Sequence, residues 1–158
     1  MIQVVIYKET SSPIQKESVR KVVHTILKTL NRNRYHSLSV AIVKTNTIRT
    51  LNRIWRGIDR PTSVLSFSAQ SYSKSQNKRK KNKSFVLPPE EKDFLGEIII
   101  ADSIVKKEAK QRNSSYHKEF NYLFVHGLLH LLGYQHSSLR LRKKMEKLEN
   151  RILNNLKT

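Results

Sequence analysis

The chain has 158 residues, 31 of them Lys or Arg and 12 Asp or Glu, for a formal net charge of +19. That length suits one domain, able to bury roughly 70% of the surface its unfolded chain exposes, and a hydrophobic share of 37% excludes a disordered polycation. There is no apolar run long enough to span a bilayer, the start Met1-Ile2-Gln3-Val4 lacks a signal-peptide layout, and zero cysteines exclude disulfides and thiolate chemistry.

The first strand is expected at Ile2 to Tyr7, an apolar run rich in β-branched residues. Ser12-Pro13-Ile14-Gln15 reads as a helix start with Ser12 as the N-cap, followed by a stripe of Val19, Val22, Val23, Ile26, Leu27 and Leu30. Leu38 to Val43 reads as a second strand. Ile48, Leu51, Asn52 and Trp55 predict a short helix ending near Gly57, and Val64 to Phe67 a third extended piece beyond Pro61. From about Ser68 to Lys92 the composition turns basic and Ser/Asn-rich, with Lys78, Arg79, Lys80, Lys81 and Lys83 close together. This stretch, at about 70–92, is expected to be a flexible insertion that follows phosphates. Leu95 to Ile100 is apolar enough to be a central strand, with Asp102 capping the helix that follows. An apolar helix is predicted from Ser115 to Leu132. A final amphipathic one runs from Ser138 to Leu156, with Leu141, Met145, Leu148, Ile152 and Leu156 inward and Arg142, Lys143, Lys144 and Lys147 outward. Strands and helices in this order make residues 1–158 a single α+β or α/β domain.

The charge points to a polyanionic partner, nucleic acid before an anionic membrane surface. The basic residues most exposed to such a partner are Lys78, Arg79, Lys80, Lys81 and Lys83 in the insertion and Arg142 and Lys143 on the last helix.

Chemistry concentrates in His126-Gly127-Leu128-Leu129-His130-Leu131-Leu132-Gly133-Tyr134-Gln135-His136. His126 and His130 are four apart, so on a helix both imidazoles leave one face and can meet one ion. Gly133 is the residue type that ends a helix in a left-handed turn, allowing His136 to return to the same ion. Three neutral imidazoles with an open fourth position make a catalytic metal site rather than a closed structural one. His24, His36 and His117 have no partner at ligand spacing and read as structural or surface residues. Zinc peptidases with H-E-x-x-H place a Glu after the first His as the base; here that position is Gly127, which argues against peptide hydrolysis.

These eleven residues resemble the H-G-x-L-H-L-x-G-Y-D-H signature of the YbeY-type endoribonucleases. Leu51-Asn52-Arg53-Ile54-Trp55-Arg56-Gly57 with Pro61-Thr62-Ser63-Val64-Leu65-Ser66-Phe67 is similar to that family's L-N-x-x-x-R and P-T-D/N-V-L-S-F block, and Leu95-Gly96-Glu97-Ile98-Ile99-Ile100 to its L-G-D-I-x-I strand. The chain departs from the pattern at Ser63, Glu97 and Gln135. The resemblance implies an α+β domain, a small mixed sheet packed with helices, with a zincin-like metal-binding helix. It implies a zinc-dependent, single-strand-specific endoribonuclease acting in 16S rRNA 3′-end maturation and ribosome quality control in the cytoplasm. One zinc ion would sit on His126, His130 and His136, with Arg56 as the catalytic arginine. The partners would be precursor 16S ribosomal RNA and the small ribosomal subunit, with no membrane and no organic cofactor. The competing expectation is a non-enzymatic rRNA-binding assembly factor whose metal is structural.

Overall fold

The computed structural model describes residues 2–32, 37–69 and 93–157. In chain order the elements are β1 (Gln3–Lys8), α1 (Lys16–Thr29), β2 (Ser37–Val43), α2 (Thr45–Arg56), β3 (Val64–Ser68), β4 (Phe94–Ala101), α3 (Asp102–Gln111), α4 (Tyr116–Leu131) and α5 (Leu139–Asn155). The four strands form one sheet in the order β1-β2-β4-β3, parallel from β1 to β4 and antiparallel where β3 meets β4. The fold is α+β with a mixed sheet.

Alternation along the two central strands divides the core. Val40, Ile42, Ile98 and Ile100 face the larger cluster, with Val23 and Ile26 of α1, Phe124 and Leu128 of α4, and Met145 and Ile152 of α5. Ala41, Val43, Ile99 and Ala101 face the other way, onto Ile48 of α2 and Ile104 of α3. The continuous apolar run of β4 therefore reflects a strand covered on both faces, as expected for its central place. Helix α4 packs on β3 and β4, with Gly127 against Val64 and Ser66 of β3.

Three local expectations are corrected. Helix α1 starts at Lys16 with Gln15 at the N-cap position, not at Ser12. The Ser12 hydroxyl is 2.9 Å from the Tyr116 hydroxyl of α4 and accepts from the Ile14 amide, while Ile14 itself is buried in the core. A long-range partner thus holds the segment extended. Asp102 is the first residue of α3 rather than its cap, which is Ala101. Its carboxylate is taken up by the Tyr116 hydroxyl at 2.6 Å and Lys106 Nζ at 2.8 Å. Leu141, expected inward, is exposed, because α5 meets the core only from Met145 onward. Ser115 and Ser138, where the last two helices were expected to begin, cap them through their side chains.

Candidate metal centre

His126 and His130 occupy the last two turns of α4. Leu132 ends that helix, and Gly133 follows with φ +94°, a conformation that would strain any residue with a Cβ. The amides of Gly133 and Tyr134 bond back to the carbonyls of His130 and Leu129, and the chain reverses to present His136. The ring centroids lie 4.6 Å (His126 to His130), 4.8 Å (His130 to His136) and 5.6 Å (His126 to His136) apart. One nitrogen from each of the three rings falls within 4.8 Å of the others, a group that could hold a metal ion.

The outer hydrogen bonds define what those nitrogens offer. His130 Nδ1 is 2.9 Å from the Tyr134 carbonyl, which can only accept, so Nδ1 carries the hydrogen and Nε2 the lone pair. His126 Nδ1 is 2.7 Å from Glu149 Oε1 on α5, with the same result. The two Nε2 atoms then face each other at 3.0 Å with no hydrogen between neutral rings. Two ligands of a tetrahedral zinc, each about 2.1 Å from the ion, lie about 3.4 Å apart, so the pair fits a shared cation. Burial, with the neighbouring His126 adding to it, lowers the His130 pKa and keeps that ring neutral, the form a metal requires. His136 is exposed, which leaves the centre open on one side.

Two cavities meet at the histidines. The larger, about 560 Å³, is lined by all three rings together with Arg56 from the end of α2, Thr62, Ser63 and Ser66 from the run into β3, and Arg112 and Tyr122. The smaller, about 210 Å³, lies toward α5 and includes Arg142, Glu146 and Glu149 with His126 and His136. Arg56 and Arg142 thus share walls with the histidines, whereas Lys143 is exposed and lines neither cavity. Lys78, Arg79, Lys80, Lys81 and Lys83 lie outside the described residues, as does His36. His24 and His117 are exposed and take no part in the group.

Gly127 has a steric reason. A Cβ there would stand 2.9 Å from Ser66 Oγ and 3.2 Å from Ile98 Cγ2, so the helix packs on β3 where a peptidase would carry its base. Close packing against Ser66 and Ile98 leaves no room there for a glutamate side chain.

Several residues of this region escaped the sequence reading. Glu149 is buried in the apolar stripe of α5, and a lone carboxylate among Met145, Leu148 and Ile152 was the available signal. Tyr122, one turn before His126, and Arg112 are the others. The Arg112 guanidinium donates to Glu119 Oε1 at 3.0 Å and lies 5.3 Å from the Tyr122 ring centre. Burial raises the Glu119 pKa, with Arg112 opposing and Glu108 adding to the rise.

A mixed sheet backed by a helix bearing H-x-x-x-H, with a third histidine returned by a glycine turn, defines an α+β protein with a three-histidine centre able to take a metal. The model of the family Endoribonuclease YbeY matches residues 5–157, and the chain belongs to that family. A relative called Endoribonuclease YbeY in Francisella tularensis subsp. tularensis is 34% identical over 126 residues, covering 77% of this chain and 68% of its own length. One of the same name in Francisella tularensis subsp. novicida is 35% identical over 117 residues, covering 73% and 65%. The matches thus span about two thirds of the length of these relatives. A Thermotoga maritima protein whose structure was determined in solution shares the fold, with a TM-score of 0.58 at 24% identity over 98% of this chain and 92% of that one.

Proposed function

We propose that this chain is a zinc-dependent, single-strand-specific endoribonuclease, cytoplasmic, that acts on precursor 16S rRNA with the small ribosomal subunit in 3′-end maturation and ribosome quality control. The observation that carries this reading is the convergence of His126, His130 and His136 on one cavity that also receives Arg56. The activity named for the family's members is the one such a site suits. One zinc ion would be held by the three histidines, and when bound it supplies Lewis acidity and positive charge to a phosphodiester.

The chain's own groups divide the remaining work. Arg56 pairs with no carboxylate among the described residues, so its charge is available to a phosphate and to the negative charge that develops on it. Thr62, Ser63 and Ser66 offer hydroxyl donors on the same wall. Glu149 and the Tyr134 carbonyl hold two imidazoles in the ligand tautomer. Gln135 is exposed, and its amide cannot take a proton as the family's Asp would. On the other side Arg142 is placed to meet a neighbouring phosphate, while Lys143 and the lysines and arginine of the 70–92 insertion add attraction that does not depend on sequence.

Elemental analysis of the purified protein, paired with cleavage of a precursor 16S rRNA 3′ fragment with and without chelator, tests the reading. Zinc near one equivalent and chelator-sensitive cleavage are expected, with His126→Ala and His130→Ala inactive. Arg56→Ala should retain zinc and lose about 10²- to 10³-fold in rate. A wild type that binds the RNA without cutting it would instead favour a non-enzymatic assembly factor with a structural metal, whereas a His136→Ala protein that binds the RNA normally and no longer cleaves it would exclude that reading. A 2′,3′-cyclic phosphate end would identify the RNA's own 2′-hydroxyl as the nucleophile.

A further inference from the structure

The larger cavity holds two arginines whose surroundings differ. Arg56 is unpaired among the described residues. Arg112, the C-cap residue of α3, donates through one NH to Glu119, which is buried, and Glu108 lines the same wall. A phosphate arriving at Arg112 would meet two carboxylates against one guanidinium, so the local charge disfavours it. The guanidinium plane is still available. Its guanidinium carbon lies over the Tyr122 ring, 5.3 Å from the ring centre, and the side chain is 54% exposed.

We propose that Arg112, set over the Tyr122 ring and held by Glu119, is a platform for one unpaired nucleobase of the bound strand. The proposal rests on the endoribonuclease reading and adds a base subsite to it. Unpaired bases stack on guanidinium planes and aromatic rings, and a neutral ring is not repelled by the carboxylates that a phosphate would meet. The position suits a neighbour of the cleaved linkage. Tyr122 precedes His126 by four residues on α4, about one helical turn or 5.4 Å, a step on the scale of one nucleotide. Glu108 lines the same cavity beside Glu119, and its carboxylate can accept from an exocyclic amine, which cytosine has and uracil lacks.

The test uses zinc-loaded protein and 2′-O-methyl hexanucleotides (all cytidine, all uridine, and abasic), with binding followed by fluorescence anisotropy at several salt concentrations. The cytidine hexamer is expected to bind most tightly. Arg112→Ala and Arg112→Lys should each weaken it about tenfold, toward the abasic level, with abasic binding and the salt slope unchanged. Arg112→Lys keeps the cation for Glu119 and loses the plane, so it separates stacking from charge even if the alanine variant is poorly folded. Glu108→Gln should narrow the preference for cytidine over uridine. Equal losses on the cytidine and abasic hexamers, or a shallower salt slope in the variants, would overturn the platform in favour of a phosphate contact. Unchanged binding in both variants would reduce Arg112 to a tie between α3 and α4. If wild-type protein binds no hexamer and cleaves no RNA, the endoribonuclease reading fails first.

Discussion

Glu149 sits at a core position of α5, yet its carboxylate is spent on His126 Nδ1 at 2.7 Å. Removing it leaves that imidazole free to rotate and to change tautomer, which turns its lone pair away from His130. Glu149→Ala is therefore expected to weaken zinc binding by about 10- to 100-fold, measured by competition with a chromophoric chelator. Glu149→Gln should lose less, because an amide oxygen still accepts from Nδ1. An alanine variant with wild-type zinc affinity would remove Glu149 from the metal centre. The three histidines were legible in the sequence because their spacing is local, two on one helix face and one past a glycine. Glu149 was not, since only the docking of α5 on α4 shows that a carboxylate 23 residues away points at His126. Arg112 and Tyr122 share that difficulty, as their contact joins two helices.

At the level of elements, the contact between α4 and β3 decides where the histidines stand. Gly127→Ala would force Cβ to within 2.9 Å of Ser66 Oγ, an overpacking expected to cost about 1–3 kcal/mol in denaturant unfolding. Ser66→Ala in the same chain should recover part of that loss, and strict additivity of the two changes would mean they do not touch. A second tie joins the loop before α1 to α3 and α4 through Ser12, Tyr116, Asp102 and Lys106. Burial pushes the Asp102 carboxyl up, but the hydrogen bonds from Lys106 and Tyr116 and the Lys106 charge together hold it below its ordinary 3.8. A carboxyl lowered by folding stabilises the protein above its unfolded pKa, and that stability goes as pH falls through the folded value. Acid unfolding below about pH 4 should accordingly be steeper in the wild type than in Asp102→Asn, with Asp102→Asn less stable at neutral pH. The same tie explains the misread start of α1. Ser12 has the residue type of an N-cap, but its partner lies 104 residues away, and no local pattern records that. The starts of α4 and α5 near Ser115 and Ser138 were readable because the caps there are local, with acceptor and donor three residues apart.

Across the whole molecule, 31 basic residues stand against 12 acidic ones, and among the described residues the two cavities involve only Arg56, Arg112 and Arg142 of the Lys and Arg side chains. With so large an excess of basic residues, RNA affinity should fall steeply with salt. The logarithmic slope for a single-stranded RNA is expected to become shallower by roughly 0.7 for each phosphate contact removed, so Arg142→Ala should lower it and Glu146→Ala should not. A slope unchanged in Arg142→Ala would place the strand away from the smaller cavity. The central place of β4 and the helical cover were legible from apolar runs and stripes, while the strand order and the antiparallel pairing of β3 with β4 depend on contacts no single segment encodes. One consequence of the His126–Glu149 bond extends beyond chemistry. The ligand set, its orienting carboxylate and the reversed chain after Gly133 together join α4 to α5. Filling the centre then fastens the C-terminal helix, and a cell short of the ion would hold a looser protein with that helix open to proteases. The abundance of the protein, and not its turnover number alone, would follow the supply of the metal.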